Sequence, residues 1–251
     1  MKIAVLASGS KGNCTYVETL KTKSLIDAGM TNLYIETKLK SLGINPDDIE
    51  NIFITHDHVD HVSALKVFVK RHNVKVFLTQ KLYDELSKTI NFTNYEILEG
   101  KVYLSDTIVT YFKTSHDAVD SVGYVFESDG KDFVYVTDTG YINNKYFDLL
   151  KNRCAYVFES NHDVTRLMEN PNYPYNTKQR ILSDKGHLSN KDSAYYLSNF
   201  VGNKTKTIIL AHLSEQNNTK ELALEEISKR ISNVNIDIAN QNEPTELVTL
   251  W

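Results

Sequence analysis

Residues 55–61 read Thr-His-Asp-His-Val-Asp-His and follow directly on the apolar run Ile52, Phe53, Ile54. Three imidazoles and the Asp60 carboxylate therefore crowd into one turn at the end of a buried strand, a placement that burial alone disfavours. Metal binding accounts for it. His56 and His58 stand two residues apart, so in extended chain they point the same way and can hold one ion together. Asp60 and His61 come where the chain turns into a helix, since Val62, Ala64, Leu65, Phe68 and Val69 recur at helical spacing, and they are aimed elsewhere. That division points to a second ion. Paired dications acidify water and clamp an attacked phosphoryl or acyl centre, which is the chemistry of hydrolases.

Two ions need more ligands than this turn offers. His116 lies just past the β-rich run Ile108–Phe112, Asp138 past Phe133–Val136, and His212 past Ile208–Leu210. Open sheets gather their functional groups at such strand ends. One histidine behind a strand is ordinarily structural; the same placement repeated along the chain points to a shared centre.

The order H-x-H-x-D-H at 56–61, then His116, Asp138 and His212, resembles the metallo-β-lactamase superfamily. The resemblance implies that His56, His58 and His116 hold one metal, that Asp60, His61 and His212 hold the other, and that Asp138 bridges them. It also matches Asp27, in the string SLIDAG, to the early aspartate that supports the metal loop. Four further strings are similar to those of the bacterial YycJ/WalJ-like group: KIAVLASGSKGNC from Lys2, ESNHD from Glu159, GHLSN from Gly186 and HLSEQNN from His212. This similarity runs over nearly the whole chain and implies a metal-dependent nuclease with 5′-to-3′ DNA exonuclease activity. More distantly the chain is similar to ribonuclease Z, in which a glutamate after a strand and a histidine in a G-H-S-T-like string assist phosphate chemistry. Glu159 and His187 occupy the matching places.

The chemistry of these residues agrees with a phosphodiester substrate. Its transition state gains from a cationic or donor group on a non-bridging or leaving oxygen, beyond what metals supply. His187 can be that group, with Glu159 as the nearby anion that favours its charged form. The plain alternative is that His187 caps the helix beginning near Asn190 to Asp192. His162 either lines the cleft or only steadies its loop. The small turn Ser8–Asn13, which carries a cation, is an ordinary hairpin or a phosphate contact, in the latter case through Ser10 and Asn13. Lys178, Arg180 and Lys185 form the better placed basic cluster for a nucleic-acid backbone, whereas Lys66, Lys70 and Arg71 read as a solvated helix face. The breaker-rich stretch Asn170–Tyr175 offers Tyr173 or Tyr175 for stacking on a base, the alternative being a packed lid without ligand contact.

With one site spread over almost all of its 251 residues, the chain is expected to form a single domain over 1–251. Cys14 and Cys154 make neither a disulfide framework nor a C-x-x-C pair, so a reducing cytoplasm fits. The apolar stretch Ile3–Ala7 is too short for a secretory core and no run reaches membrane-spanning length, so no membrane association is expected. A formal net charge of −4 argues against a sequence-independent nucleic-acid binder held by a basic surface. It does not argue against a nuclease, because dications concentrate positive charge at the scissile phosphate.

Strands are expected at 2–7, 13–19, 23–27, 51–55, 74–78, 95–98, 101–104, 107–114, 121–127, 132–137, 155–159, 206–211 and 245–250. Helices are expected at 31–43, 61–72, 80–89, 143–151, 163–170, 177–184, 190–200 and 219–231. That alternation means an α/β (α+β) chain; the four-layer αββα sandwich is what the resemblance implies. Asp138 to His212 leaves no room for a ribonuclease J-like insertion, and there is no glycine-proline-rich arm of the kind ribonuclease Z uses on tRNA.

The combined expectation is a metal-dependent hydrolase: a phosphodiesterase with two divalent metal ions acting on nucleic acid, DNA ahead of RNA, and foremost a 5′-to-3′ DNA exonuclease. In it Asp60 orients the attacking hydroxide or takes its proton, and His187 stabilises the phosphate or protonates the leaving oxygen. Zinc, manganese and iron all suit nitrogen and oxygen ligands. The alternatives are a small-molecule hydrolase (cyclic phosphodiesterase or lactonase), a ribonuclease Z-like RNA endonuclease, and a metal-stabilised scaffold. The last is disfavoured because a structural site gains nothing from a second ion with an open position. Nothing in the sequence identifies a protein partner.

Overall fold

Ile3, Val5 and Val17 alternate with Ala4, Leu6 and Tyr16, yet all six are buried. A strand apolar on both faces belongs to a sheet covered on both sides. The computed structural model, which describes residues 1–250, has two seven-stranded sheets. The first contains β1 (Lys2–Ala7), β2 (Cys14–Glu18), β3 (Lys23–Ile26), β4 (Asn51–Phe53), β5 (Lys75–Leu78) and β6 (Tyr95–Ile97). The second contains β7 (Lys101–Tyr103), β8 (Ile108–Lys113), β9 (Val122–Ser128), β10 (Lys131–Val136), β11 (Ala155–Glu159), β12 (Thr207–Ala211) and β13 (Asn235–Ile238). The short β14 (Val248–Thr249) returns to pair with β1.

Both sheets follow one plan. An antiparallel meander, β1-β2-β3 or β8-β9-β10, passes into parallel strands, β3-β4-β5-β6 or β10-β11-β12-β13. Parallel neighbours require long crossovers, and helices supply them. In the first half these are α1 (Asn32–Ser41), α2 (Val59–Val62), α3 (Leu65–Arg71) and α4 (Gln80–Leu86). In the second they are α5 (Phe147–Leu150), α6 (Val164–Glu169), α7 (Tyr175–Ile181), α8 (Asn190–Phe200) and α9 (Lys220–Ser228). Thr31, Thr79, Asp163, Ser189 and Thr219 start five of them, each side chain accepting a backbone N–H three residues on.

Three apolar clusters make the four layers. Ile3, Val5, Phe53 and Phe77 meet Tyr124, Phe126, Val157 and Ile209 between the sheets. Leu6, Leu25 and Ile54 pack outward on Ile35, Leu39 and Phe68 of α1 and α3, and Val134, Phe158 and Leu210 on Leu197, Phe200 and Ile227 of α8 and α9. The αββα expectation is borne out. Phe53 is the keystone of the middle layer: it stacks on Phe77 at 4.6 Å and meets Tyr124 and Phe126 of the facing sheet edge-on at 5.5 and 5.1 Å. Phe53→Ala is expected to cost about 3–5 kcal/mol, read as a lowered urea midpoint at unchanged slope.

The two sheets are also pinned through the β2–β3 turn. Asp106, in the β7–β8 turn, accepts from Thr19 Oγ1 at 2.8 Å, Lys21 N at 3.0 Å and Thr107 Oγ1 at 3.1 Å. Partial burial opposes its charge, but the Thr19 and Thr107 hydroxyls and the Lys21 and Leu20 amides outweigh it and hold the carboxyl below its ordinary range. A carboxyl depressed in the folded state stabilises above its unfolded pKa, about 3.9, and that stability is lost as pH falls through the lower folded value. Asp106→Ala should therefore cost about 1 kcal/mol at pH 7, less than buried charged hydrogen bonds give because solvent screens the site. Urea titrations should show the difference from wild type shrinking as pH falls below about 4.

Most elements lie within a few residues of their expected bounds. The expected helix 61–72 is instead two pieces, because Ala28 N takes the His61 carbonyl at 2.8 Å and Ala64 N turns to the Ala28 carbonyl at 2.8 Å. Docking of the post-β3 loop thus interrupts the helical ladder. β13 was not expected: its Asn-Ile-Asp-Ile sequence is a poor strand former, and pairing with β12 makes it one. The expected 245–250 strand shrinks to β14. No helix among the described residues is long and apolar enough to cross a membrane.

Candidate metal centre

The loops that follow β3, β4, β8, β10, β11 and β12 converge at one end of the sandwich. Asp27 is the floor. Its carboxylate accepts from Thr55 N at 2.8 Å, Thr55 Oγ1 at 2.8 Å and His61 Nδ1 at 2.7 Å, all buried. Burial pushes the Asp27 carboxyl up, with the His61 ring and the Thr55 donors pulling it back. Asp27, Asp138 and His212 have φ of 60°, 55° and 57°, each just beyond the end of β3, β10 and β12. Left-handed backbone at non-glycine residues costs about 1–3 kcal/mol apiece and gathers where geometry serves a function.

Hydrogen-bond partners decide which ring nitrogens carry lone pairs. A carbonyl can only accept, so His116 Nδ1, 3.1 Å from the Gly186 carbonyl, is a donor, and its Nε2 holds the lone pair. By the same reasoning His58 Nε2 donates to the Asp117 carbonyl at 3.2 Å, leaving the lone pair on Nδ1. These two lone-pair nitrogens face each other at 3.3 Å. Thr55 Oγ1, already donating to Asp27, accepts from His56 Nδ1 at 3.0 Å, and His56 Nε2 is buried without a partner. His61, donating to Asp27, presents Nε2 to Asp138 Oδ2 at 3.1 Å. His212 Nδ1 lies 2.8 Å from the same oxygen without hydrogen-bond geometry. Where lone pair faces lone pair, as between His58 and His116, the two repel unless a cation lies between them. The cluster passes this test of fit for divalent metal.

Four sets of potential ligand atoms lie mutually within 4.8 Å: His56, His58 and His116; His56, His61 and Asp138; His116, Asp138 and His187; Asp138, Glu159 and His212. Asp138 is common to three. Its Oδ2 faces His61 and His212, while its Oδ1 lies 3.8 Å from His116 Nε2 and 3.6 Å from His187 Nδ1. Asp60 belongs to none of the sets; its Oδ2 lies 3.5 Å from His61 Nε2, and its side chain is about one-quarter exposed. Burial holds His56 and His116 below the ordinary imidazole range, in the neutral form a ligand needs. At His61 burial opposes a charge but the carboxylates of Asp27 and Asp138 outweigh it. At His212 burial is likewise outweighed, by Asp138 and then Glu159, and the pKa is pushed up to about 9. Asp138 is held well below its usual range by His212 and His61 against the effect of burial.

Glu159 is fully buried, accepting from Thr139 N at 2.9 Å and from His187 Nδ1 at 2.7 Å. The alternative role of His187 as a helix cap is excluded, since Ser189 caps α8. Gly186 allows this approach, because a Cβ there would collide with the Ile181 carbonyl. Beside His187 and His212 opens a cleft of about 350 Å3 whose walls include Ser10, Tyr173 and Arg180.

Two expectations need correction. Asn13 is not placed to touch substrate: it is buried, accepts from Gly9 N at 2.9 Å, and donates to the Gly9 carbonyl and to Asp60 Oδ2, with His61 Nε2 2.9 Å away. Lys178 is no backbone contact, since its buried ammonium donates to the Met168 carbonyl at 2.6 Å. Of that cluster Arg180 reaches the cleft, paired with Asp117 at 2.8 Å, and Lys185 is exposed. Tyr173 lines the cleft, whereas Tyr175 is exposed outside it. His162 is buried, its loop bridged to Ser189. Sequence reasoning missed Ser8, whose hydroxyl accepts from His212 N at 2.6 Å, and Thr139 and Asp117. The last two adjoin Asp138 and His116 in sequence, which was the available signal.

The family model described as the metallo-beta-lactamase superfamily matches residues 7–212. The chain belongs to the metallo-β-lactamase superfamily. That superfamily is metal-dependent, in keeping with the His/Asp cluster. The chain is 39% identical over 229 residues to "Exodeoxyribonuclease WalJ" of Streptococcus pneumoniae, covering 88% of this chain and 85% of that one. It is 36% identical over 235 residues to "Exodeoxyribonuclease YycJ" of Bacillus anthracis, covering 91% and 88%. Among solved structures, the metallo-β-lactamase-fold protein YhfI from Bacillus subtilis superposes with a TM-score of 0.74 at 14% identity, covering 97% of this chain and 98% of that one, a likeness of fold.

Proposed function

We propose that this chain is a phosphodiesterase carrying two divalent cations that degrades DNA from the 5′ end. The observation that carries the reading is the pairing of the buried Glu159 with the part-exposed His187 at 2.7 Å, seated beside Asp138 and opening on the cleft. The names of the two bacterial relatives support DNA as the substrate.

His56, His58 and His116 would hold one cation, Asp60, His61 and His212 the other, with Asp138 shared. Zinc, manganese or iron suits such donors. Bound cations supply a Lewis-acid clamp on phosphoryl oxygens and make water more acidic. The remaining steps belong to the chain. Asp60, the part-exposed carboxylate at the centre's rim, orients the attacking water and takes its proton. His187 is held through Nδ1 by Glu159, leaving its other ring nitrogen for a non-bridging or leaving oxygen. Asn13 keeps Asp60 and His61 in register without meeting the substrate.

The test is a substrate panel. Protein stripped with chelator and restored with manganese or zinc singly is offered end-labelled single- and double-stranded DNA, RNA, a cyclic nucleotide and a lactone. Progressive release of mononucleotides from 5′ ends is expected; lactone or cyclic-nucleotide turnover without DNA degradation would exclude the reading.

A further inference from the structure

The cleft at the centre does not stop at Tyr173. Asn172 is shared with a second hollow, of about 480 Å3, whose walls are Arg166, Glu169, Asn170, Pro171 and Gln216. The two hollows adjoin at Asn172, and taken together they make a groove from His187 and His212 to α6. We propose that this groove is the track for a single strand of the substrate, with Arg166 gripping a phosphate remote from the one that is cut. The inference rests on the phosphodiesterase reading above and adds the path of the polymer.

The chemistry of the groove changes along it in the way a single strand needs. Next to the centre, the half-buried Tyr173 offers a ring face for an unpaired base. Beyond it comes the exposed amide side chain of Asn172, a group that contacts phosphate and sugar without reading sequence. At the far end Arg166 is exposed but braced: its Nε donates to the Gln216 carbonyl at 3.1 Å, and its terminal amino groups have no protein partner among the described residues. A guanidinium held by one edge keeps its other donors ready for a phosphate fork. Arg180, at the near end, is by contrast already paired with Asp117.

The wall is firm and tied to the centre. Asp163 caps α6 through Arg166 N at 2.8 Å, and its own N–H donates to the Asn217 carbonyl at 2.9 Å. Asn170 donates to Asn217 Oδ1 at 2.7 Å. Gln216 and Asn217 belong to the segment that begins with His212, so the groove's far end and the centre share one strip of chain. Glu169 is the acidic group on the lip; it repels phosphate and keeps the strand to the Arg166 and Asn172 side.

The experiment compares substrate lengths. Metal-restored wild type, Arg166→Ala and Arg166→Lys are given single-stranded DNA of about 20 nucleotides, longer than the ~4–16 that one single-strand site spans, and a dinucleotide. Binding of the long strand is followed in parallel by fluorescence anisotropy in chelator. In Arg166→Ala, KM and Kd for the long strand should rise about tenfold at near-constant kcat, and the salt dependence should flatten by about 0.7 in log–log slope, as for one lost phosphate contact. Dinucleotide turnover should not move, and Arg166→Lys should recover part of the loss. Equal losses on both lengths, or an unchanged long strand, would overturn the track. Wild-type protein that cuts neither DNA would overturn the DNA-degrading reading itself, and the track with it.

Discussion

His58→Ala is expected to lose bound metal and DNA turnover together. His58 stands as the N-cap residue of α2 with extended backbone and caps nothing with its side chain, so removing it leaves the helix start unchanged. It donates to the Asp117 carbonyl on one edge and faces His116 Nε2 on the other. What alanine deletes is one of three nitrogens that converge on a shared point, and three-ligand sites lose affinity steeply when one is removed. Turnover should fall on the order of 10⁴-fold or more, as when one member of an interdependent catalytic unit is lost. Plasma mass spectrometry of the dialysed protein and initial rates on end-labelled DNA measure both, with circular dichroism confirming that the fold survives. Full metal content in this variant would remove His58 from the ligand set.

His187→Ala is expected to separate what His58→Ala joins. A general acid or donor in the transition state contributes about 10²–10⁴-fold, so kcat should fall by that amount while metal content stays near wild type. The competing role is visible in the geometry, because a ring nitrogen of His187 also groups with His116 and Asp138 as a potential ligand set. The 2.7 Å approach to Glu159, against 3.6 Å to Asp138, favours the donor role. Glu159→Gln should weaken turnover in the same direction by loosening His187. Loss of a metal ion from His187→Ala would make His187 a ligand and leave the reaction without its assigned donor.

The centre was legible in the sequence because its residue types are costly to bury without a reason, and because each follows a short apolar strand. His56, His58, His61, His116, Asp138 and His212 all carry that signal, and Asp27 was reached through resemblance. What the sequence could not convey was direction. Asn13 and Ser10 sit in one small polar turn with equal claims on a phosphate, yet Asn13 turns inward to Gly9 and His61 while Ser10 faces the cleft. Lys178 and Arg180 differ by two residues on α7 and so lie on different faces, one buried against Met168 and one at the cleft. The break between α2 and α3 depends on the docking of Ala28, far earlier in the chain, against His61 and Ala64, which local periodicity does not record. The left-handed backbone at Asp138 and His212 is likewise imposed by tertiary structure, since nothing in either residue's type demands it.

The paired-cation centre is tested most directly by stoichiometry. Metal-stripped protein is titrated with manganese or zinc while bound metal per chain and 5′ degradation of labelled DNA are followed in the same samples. DNA turnover should reach its plateau at two bound ions per chain, with both ions absent in the chelated protein. A plateau at one ion, or DNA turnover that survives chelation, would contradict the two-cation centre.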